Sequence, residues 1–252
     1  MTETDGRRIY AIGDIHGCLD ALTEMMGRVR ADLAANPHDA PLVVFIGDYL
    51  DRGPDSRGVV DFLLTLEAGE LPTVFLLGNH DAMLLDYLGD PAHRATHKYH
   101  WFDPALGGDK TVASYGVPGA DPTKPEAVHA KVAAAVPPKH VDFINRAALY
   151  HEVGGYLFVH AGIRPYVPLA DQTREDLIWI RDPFLLDPGP HPHIVVHGHT
   201  VVPRVEHHGN RIAIDTGAVF SGVLSCILCE GPNVWELRPE GRLPCARGHG
   251  LR

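Results

Sequence analysis

The sequence predicts an α/β fold in which two mixed β-sheets pack as a sandwich with helices outside, and a mostly helical cap is inserted at about residues 83–150. Three observations predict it. Runs of β-branched and aromatic residues end repeatedly in glycine followed by an acid, amide or imidazole, as in Ile9–His16, Val43–Asp51 and Val74–Asp81. Such runs read as buried strands, whose carboxyl ends carry the chemistry of α/β folds. Asp14, Asp48 and Asn79 follow one another at 34 and 31 residues, close to the ~30 residues of a βαβ unit with a right-handed crossover. Parallel neighbours place the three loops on one edge of the sheet. Further short apolar runs in the second half lead into His160 and into His197-Gly198-His199.

Each element follows from local pattern. After Gly17, the apolar positions Leu19, Leu22, Met25/Met26 and Val29 repeat at helical spacing, and Asn36-Pro37 ends the helix. A strand over Leu42–Ile46 precedes the loop Asp48–Gly53. Asp55 or Ser56 caps a second helix with an apolar face of Val59, Phe62, Leu63 and Leu66. Gly69 and Pro72 close that helix, and a third strand runs to Leu77. The cap then carries a short helix at Met83–Leu88, the aromatic stretch His100-Trp101-Phe102 and the Gly107–Thr111 and Ser114–Gly116 segments. A Pro-rich loop (Pro118–Pro125), an alanine-rich helix (Glu126–Val136) and a helix from about Lys139 complete it. A cap of this kind is the expected place for substrate selection. The second half reads as β-rich: Tyr156–Val159, Ile178–Asp182 after a charged turn, Ile194–Val196, Arg211–Ile214 and Leu224–Leu228. From about Pro239 the chain reads as a polar tail. No linker composition divides the 252 residues, so one domain is expected.

Composition narrows the function classes. A net charge of −10 argues against a nucleic-acid backbone as the main partner. No apolar run approaches the ~20 residues of a membrane span, and no signal peptide is visible, so a cytoplasmic setting with reduced thiols is expected for the four cysteines. Cys226 and Cys229 lie in a strand-like run, where positions three apart face opposite sides. Histidine is abundant, with 17 copies; several flank prolines or sit in loops (His38, His191, His193, His207, His208) and read as solvated surface.

The strand-end set Asp14, His16, Asp48, Asn79, His160 and His199 mixes carboxylate, amide oxygen and imidazole. It suits Mn²⁺, Fe²⁺ or Zn²⁺ better than Ca²⁺, with manganese first among them. Six groups exceed one tetrahedral zinc and suffice for two divalent ions if one carboxylate bridges. Two such ions ~3.5–4 Å apart can bind a bridging hydroxide and clamp a phosphoryl group for in-line attack. The neutral Asn79 leaves the centre net positive, which favours an anionic substrate.

Gly13–Gly17, Gly47–Gly53 (Gly-Asp-Tyr-Leu-Asp-Arg-Gly), Gly78–Asp81 (Gly-Asn-His-Asp), His160–Gly162 and Gly198–Thr200 together resemble the motif set of the calcineurin-like metallophosphoesterases. The Asp-Tyr-x-Asp-Arg-Gly form resembles the phosphoprotein phosphatase branch, especially its bacterial and phage serine/threonine phosphatases. The resemblance implies that Asp14, His16 and Asp48 hold one metal and that Asp48, Asn79, His160 and His199 hold the other. It implies that His80 is the general acid, that Asp51 orients its ring, and that Arg52 and Arg181 grip phosphate oxygens. No nucleophilic serine or cysteine is then required. Two departures stand out: Asp81 where eukaryotic members carry glutamate, and Val201 where a Gly-His-x-His would end in histidine.

Several of these residues also fit structural roles. Asp14 and Asp48 taken singly fit helix N-caps, and His160 fits a core histidine; five ordered motifs favour the site. His197, one step outside its motif, fits a structural role better than ligation. Trp101, Phe102 and Tyr115 fit either a substrate groove or a small core of the cap, and Asp215-Thr216-Gly217 fits a tight turn at the rim. The expected activity is hydrolysis of phosphoserine, phosphothreonine or phosphotyrosine in proteins, or of a small phosphoester, favoured by Tyr49–Gly53 and Trp179-Ile180-Arg181. The alternative is a dinucleoside tetraphosphatase, with His97, Lys98, His100 and Trp101 as a stacking and basic surface and Ile214–Gly217 with Ser221–Leu224 resembling that group. A catalytically silent metal-binding scaffold is disfavoured by the presence of His80, Asp51 and Arg52. Oligomeric state is open at this stage.

Overall fold

The computed structural model describes residues 3–95, 99–119, 121, 124 and 126–248. Strand β1 (Arg8–Ile12) is wholly buried and leads into helix α1 (Leu19–Ala35), which ends at Asn36 as its Asn-Pro sequence requires. Strand β2 (Pro41–Phe45) and helix α2 (Ser56–Glu67) follow; the Asp55 side chain caps α2 by accepting from the Gly58 N–H at 2.8 Å. Strand β3 (Thr73–Phe75) then runs into helix α3 (Asn79–Gly89), which begins on the third motif itself.

β1, β2 and β3 are parallel neighbours, with Ile12 level with Phe45 and Phe45 level with Phe75. The three strands therefore end at one height. This register is what brings Asp14, Asp48 and Asn79 together.

The cap contains a two-residue ladder, β4 (Arg94–Ala95) with β5 (Tyr99–His100), then helices α4 (Gly108–Ser114), α5 (Glu126–Ala135) and α6 (Pro138–Asn145). Beyond it, β6 (Tyr150–Val153) pairs antiparallel with β7 (Tyr156–Val159). A single 3₁₀ turn precedes helix α7 (Arg174–Trp179) and the short α8 (Asp182–Leu185). The apolar Ile178-Trp179 thus lies in a helix rather than a strand. The Thr173 hydroxyl caps it by accepting from the Asp176 N–H at 3.1 Å, and Glu175 and Asp176 complement the dipole of its first turn.

Strands β8 (Ile194–His197), β9 (Glu206–His207) and β10 (Arg211–Ala213) complete a five-stranded mixed sheet in the order β6-β7-β8-β10-β9. After the short helix α9 (Ala218–Ser221), β11 (Cys226–Glu230), β12 (Asn233–Arg238) and β13 (Gly241–Pro244) extend the first sheet to six strands, ordered β13-β12-β11-β1-β2-β3. The stretch read as a polar tail therefore supplies an edge strand. Its Arg242 forks onto both Asp32 oxygens of α1 at 2.7 and 2.9 Å.

Alternation along the strands builds two cores. Ile9, Ala11, Val44 and Ile46 meet Phe158, Val196 and Ile212 between the sheets, whereas Tyr10, Ile12, Val43 and Phe45 pack outward on the helices. Cys226 falls in the outer core and Cys229 between the sheets, on opposite faces, with no disulfide among the described residues.

Candidate metal centre

The ten sequence-predicted site residues gather around one cleft: most follow a strand directly, Asn79 and His80 open helix α3, and Arg181 stands between α7 and α8. Asp48 is central. Its Oδ2 lies 3.5 Å from His16 Nε2 and its Oδ1 lies 3.4 Å from His160 Nε2. Asn79 Oδ1 stands 3.0 Å from His160 Nε2 and 2.8 Å from His199 Nδ1, and the His199 N–H donates to Asp14 Oδ2 at 3.0 Å. Asp14, His16, Asp48, Asn79, His160 and His199 are all buried. The groups Asp48–His160–His199 and His16–Asp48–His80 each fit around a single ion.

The chemistry of this set fits cations. His16 Nδ1 meets the Leu50 carbonyl at 2.7 Å and His160 Nδ1 meets that of Ile46 at 2.8 Å, so each Nδ1 carries the proton. Burial pushes both rings, and His199, below the usual imidazole range and keeps them neutral. The Nε2 lone pair of His160 then points at the acceptor oxygens of Asn79 and Asp48, an arrangement a cation between them resolves. Asp14 Oδ1 and His199 Nε2 are buried with no hydrogen-bond partner. Burial and the carboxylates of Asp215 and Asp48 push the Asp14 carboxyl well above its ordinary value, as expected of a ligand that requires positive charge. Backbone carbonyls that accept the other ring N–H are usual supports of metal-ligating histidines.

His80 shares the cleft but is held differently. Its Nδ1 donates to Asp51 Oδ2 at 2.7 Å, leaving Nε2 toward the open side. Asp51 is fully buried and receives three further bonds that motif spacing does not reveal. Trp101 Nε1–H is shared between its two oxygens at 3.0 and 2.9 Å, and the Thr111 hydroxyl donates to Oδ1 at 2.6 Å. The Asp51 N–H donates in turn to Thr111 Oγ1 at 2.8 Å. Two cap residues therefore fix the carboxylate that orients His80. From the sequence Trp101 reads only as an aromatic of groove or core; it packs with Phe102 and Tyr87 inside the cap and points its one polar atom at Asp51. Thr111 gave no signal.

The phosphate-binding candidates also converge. Arg52 and Arg181 line one cleft with Asp48, Asn79, His80 and His199, with a volume of about 420 Å³. Arg52 Nη1 donates to His16 Nε2 at 2.5 Å, and Arg181 is braced by Thr200 Oγ1 and the His199 carbonyl. Asp81, the departure in the third motif, accepts from the N–H groups of Gly78 and Tyr49, and so ties the second loop to the start of α3.

Other sequence expectations change. His100 is buried, its ring bridging the Pro91 carbonyl and the Phe102 N–H, so it and Trp101 are interior groups and not a stacking surface. His97 and Lys98 lie outside the described residues. His197 is buried against Arg211 and Phe184, and burial and Arg211 bring it down to about 3, in keeping with a structural role. Asp215 bonds the Gly217 N–H in a tight turn beside the centre. A cavity of about 820 Å³ opens at the other ends of the second-sheet strands, beside Gly155, Ile194 and Asn210, away from every one of these groups.

Comparison with known proteins gives a consistent picture. The family model described as calcineurin-like phosphoesterase matches residues 7–224. A protein of Anoxybacillus flavithermus named bis(5'-nucleosyl)-tetraphosphatase PrpE [asymmetrical] is 29% identical over 86% of this chain and 88% of its own length. Its namesake in Geobacillus thermodenitrificans is 28% identical over 87% and 89%. Among solved structures, a putative diadenosine tetraphosphatase superposes with a TM-score of 0.61 at 21% identity, covering 98% of this chain and 97% of that one. The cold-active protein-tyrosine phosphatase of a psychrophilic Shewanella does so with 0.62 at 15%, covering 97% and 83%. These structural likenesses speak to the fold.

Proposed function

The chain belongs to the calcineurin-like phosphoesterase family, and we propose that it hydrolyses the phosphoanhydride chain of dinucleoside polyphosphates, with diadenosine tetraphosphate as the model substrate. The observation that carries this reading is continuity of the cleft across Arg52. A second cavity of about 580 Å³ shares Arg52 and Ala105 with the cleft that holds Asp48 and His80. A phosphorylated side chain needs only the first space, whereas a polyphosphate with a nucleoside at each end is long enough to extend into both. The names and near-full coverage of the Anoxybacillus and Geobacillus relatives support the same reading.

The order of the two sequence-derived activities is therefore reversed, for a physical reason. Tyr49 and Asp51 favoured a protein phosphatase, yet both are fully buried. The Tyr49 hydroxyl donates to the Leu76 carbonyl at 2.7 Å, and Asp51 serves His80. They shape the phosphate centre and leave the substrate beyond it undefined.

In the proposed mechanism Asp14, His16 and Asp48 would hold one divalent ion, and Asp48, Asn79, His160 and His199 the other. Family membership implies such ions, which when bound make water nucleophilic at neutral pH and neutralise phosphoryl charge. Arg52 and Arg181 hold the non-bridging oxygens from two sides of the cleft. Their planar forks suit that geometry. The water gives up a proton to solvent as its oxygen bonds to phosphorus, the P–O bond of the anhydride breaks, and the leaving phosphate keeps the electron pair. His80, oriented by Asp51, supplies a proton through Nε2 to a leaving oxygen basic enough to need one.

The test is hydrolysis of diadenosine tetraphosphate beside phosphoserine, phosphothreonine and phosphotyrosine peptides with Mn²⁺, read as kcat/KM, with Asp48→Asn as the contamination control. The expected outcome is preference for the dinucleotide. Faster cleavage of peptides would overturn the proposal and make this a protein phosphatase.

A further inference from the structure

His100 and Trp101 are enclosed in the cap, and Tyr99 and Trp179 line the cleft half-buried; the exposed aromatic group beside them is Phe220. It is 72% exposed. Scattered exposed apolar side chains are ordinary, but this one lines the second cavity, opposite Phe102, Pro104 and Lys110 and next to Arg52.

The turn that carries it is firmly tied. Gly217 and Gly222, at φ 64° and 74°, bracket the four residues of α9 in left-handed conformations that glycine adopts without strain. The Phe220 N–H donates to the Gly217 carbonyl at 2.8 Å and the Ser221 hydroxyl to the Thr216 carbonyl at 3.0 Å. The Arg52 guanidinium lies 5.9 Å from the ring centroid. A ring held this way loses little freedom when a flat partner settles on it.

Lys110 supplies the second element. Its ammonium lies 3.4 Å from Asp109 Oδ2 in a pair that is 59% and 40% exposed. An exposed pair of that kind is weak, so a polyphosphate can compete for the ammonium. The wall thus offers a cation at the reactive phosphate (Arg52), a second cation further out (Lys110) and an aromatic face at the rim.

We propose that Phe220 and Lys110 form a nucleotide subsite, in which the base of the leaving nucleotide stacks on Phe220 and its outer phosphates meet Lys110. This rests on the dinucleoside polyphosphate reading for its biological meaning, but it can be tested without it. The probes are ATP and inorganic triphosphate as competitive inhibitors of p-nitrophenyl phosphate hydrolysis with Mn²⁺. They share the phosphate chain and differ by the nucleoside. Loss of one base–aromatic stack weakens binding by roughly tenfold. In Phe220→Ala, Ki for ATP should therefore rise about tenfold, with Ki for triphosphate unchanged and Phe220→Trp restoring ATP. Lys110→Ala should raise both constants. Equal movement of the two constants in Phe220→Ala, or none in that for ATP, would refute the subsite. Should wild-type protein fail to cleave diadenosine tetraphosphate and still show the ATP-specific loss, the proposed activity falls and the subsite stands. Cleavage of the dinucleotide at the same kcat/KM in wild type and Phe220→Ala leaves the activity and removes the subsite.

Discussion

Trp101→Phe isolates the contribution of the cap to catalysis. The substitution keeps a ring in the packed aromatic cluster with Tyr87 and Phe102 and deletes the one N–H shared by the two Asp51 oxygens. Hydrogen bonds to a charged group are worth about 1.5–3 kcal/mol. Asp51 keeps Thr111 on Oδ1 and His80 on Oδ2, so the carboxylate stays in place and loses the donor that links its two oxygens. If roughly half of the lost energy is felt when His80 delivers its proton, about 1.4 kcal/mol, turnover falls about tenfold. The fall should depend on the leaving group. An alkoxide must be protonated as it departs, whereas a phosphate oxyanion, which titrates at about 6, can leave without help. The assay is a series of phosphomonoesters from p-nitrophenyl to alkyl phosphate, with diadenosine tetraphosphate alongside, in wild type, Trp101→Phe and His80→Asn. Trp101→Phe should lower alkyl phosphate turnover about tenfold and His80→Asn by about 10²–10⁴, both with far smaller effects on the anhydride. Bound metal should be unchanged in both. A uniform loss across the series would refute the reasoning, and loss of metal from His80→Asn would recast His80 as a ligand.

Asp48→Asn should lose bound metal and activity together, since Asp48 faces both His16 and His160; metal retained at the wild-type ratio by elemental analysis would contradict its central place. Arg181→Ala should lower kcat/KM about tenfold, the equivalent of one charge-assisted bond. Arg181→Lys should recover little of it, because the guanidinium forks between Thr200, the His199 carbonyl and the cleft; full recovery would argue against that geometry. His207, outside the centre, should make stability depend on pH. Burial, then Arg247 and His208, bring its ring down to about 4, and Nδ1 accepts the Gly209 N–H at 3.1 Å, which needs the unprotonated form. The unfolded chain takes up the proton first, so stability is whole above pH ~6.5 and declines toward pH ~4, by about 1–2 kcal/mol after allowance for solvent screening. His207→Asn should flatten melting temperature over that interval, and an unaltered slope would sink the assignment.

The convergence of the candidate metal-centre residues is legible because strand register does the work of assembly. Once Ile12, Phe45 and Phe75 are level, whatever follows each strand is at the same place, and spacing in the sequence reports it. The Asp51 clamp was illegible for the opposite reason: Trp101 and Thr111 reach it from 50 and 60 residues away through a cap whose pattern is neither period 2 nor 3.6. β13 was missed because an edge strand that is half exposed shows no buried alternation; it is held by backbone pairing to β12 and by the Arg242–Asp32 fork, neither visible as pattern. Helix α7 was taken for part of a strand because six residues are too few for a period, and its Thr173 cap was the available signal.

The motifs also record backbone geometry, which explains why their glycines and ligands travel together. Seven described non-glycine residues have positive φ, and five of them are His16, Asp48, Asp51, Arg52 and His199. Such conformations cost about 1–3 kcal/mol each and persist only where the surroundings enforce them. Here the enforcement is close packing. A Cβ on Gly53 would strike the His16 carbonyl, and one on Gly198 would strike Asp14 Oδ1. Those glycines permit two loops from different strands to press together, and the pressing turns the ligands inward against their own conformational preference. No contact within the apolar cores offsets that cost; it accompanies the placement of acids and imidazoles within 4 Å of one another, the arrangement that the proposed pair of cations would require.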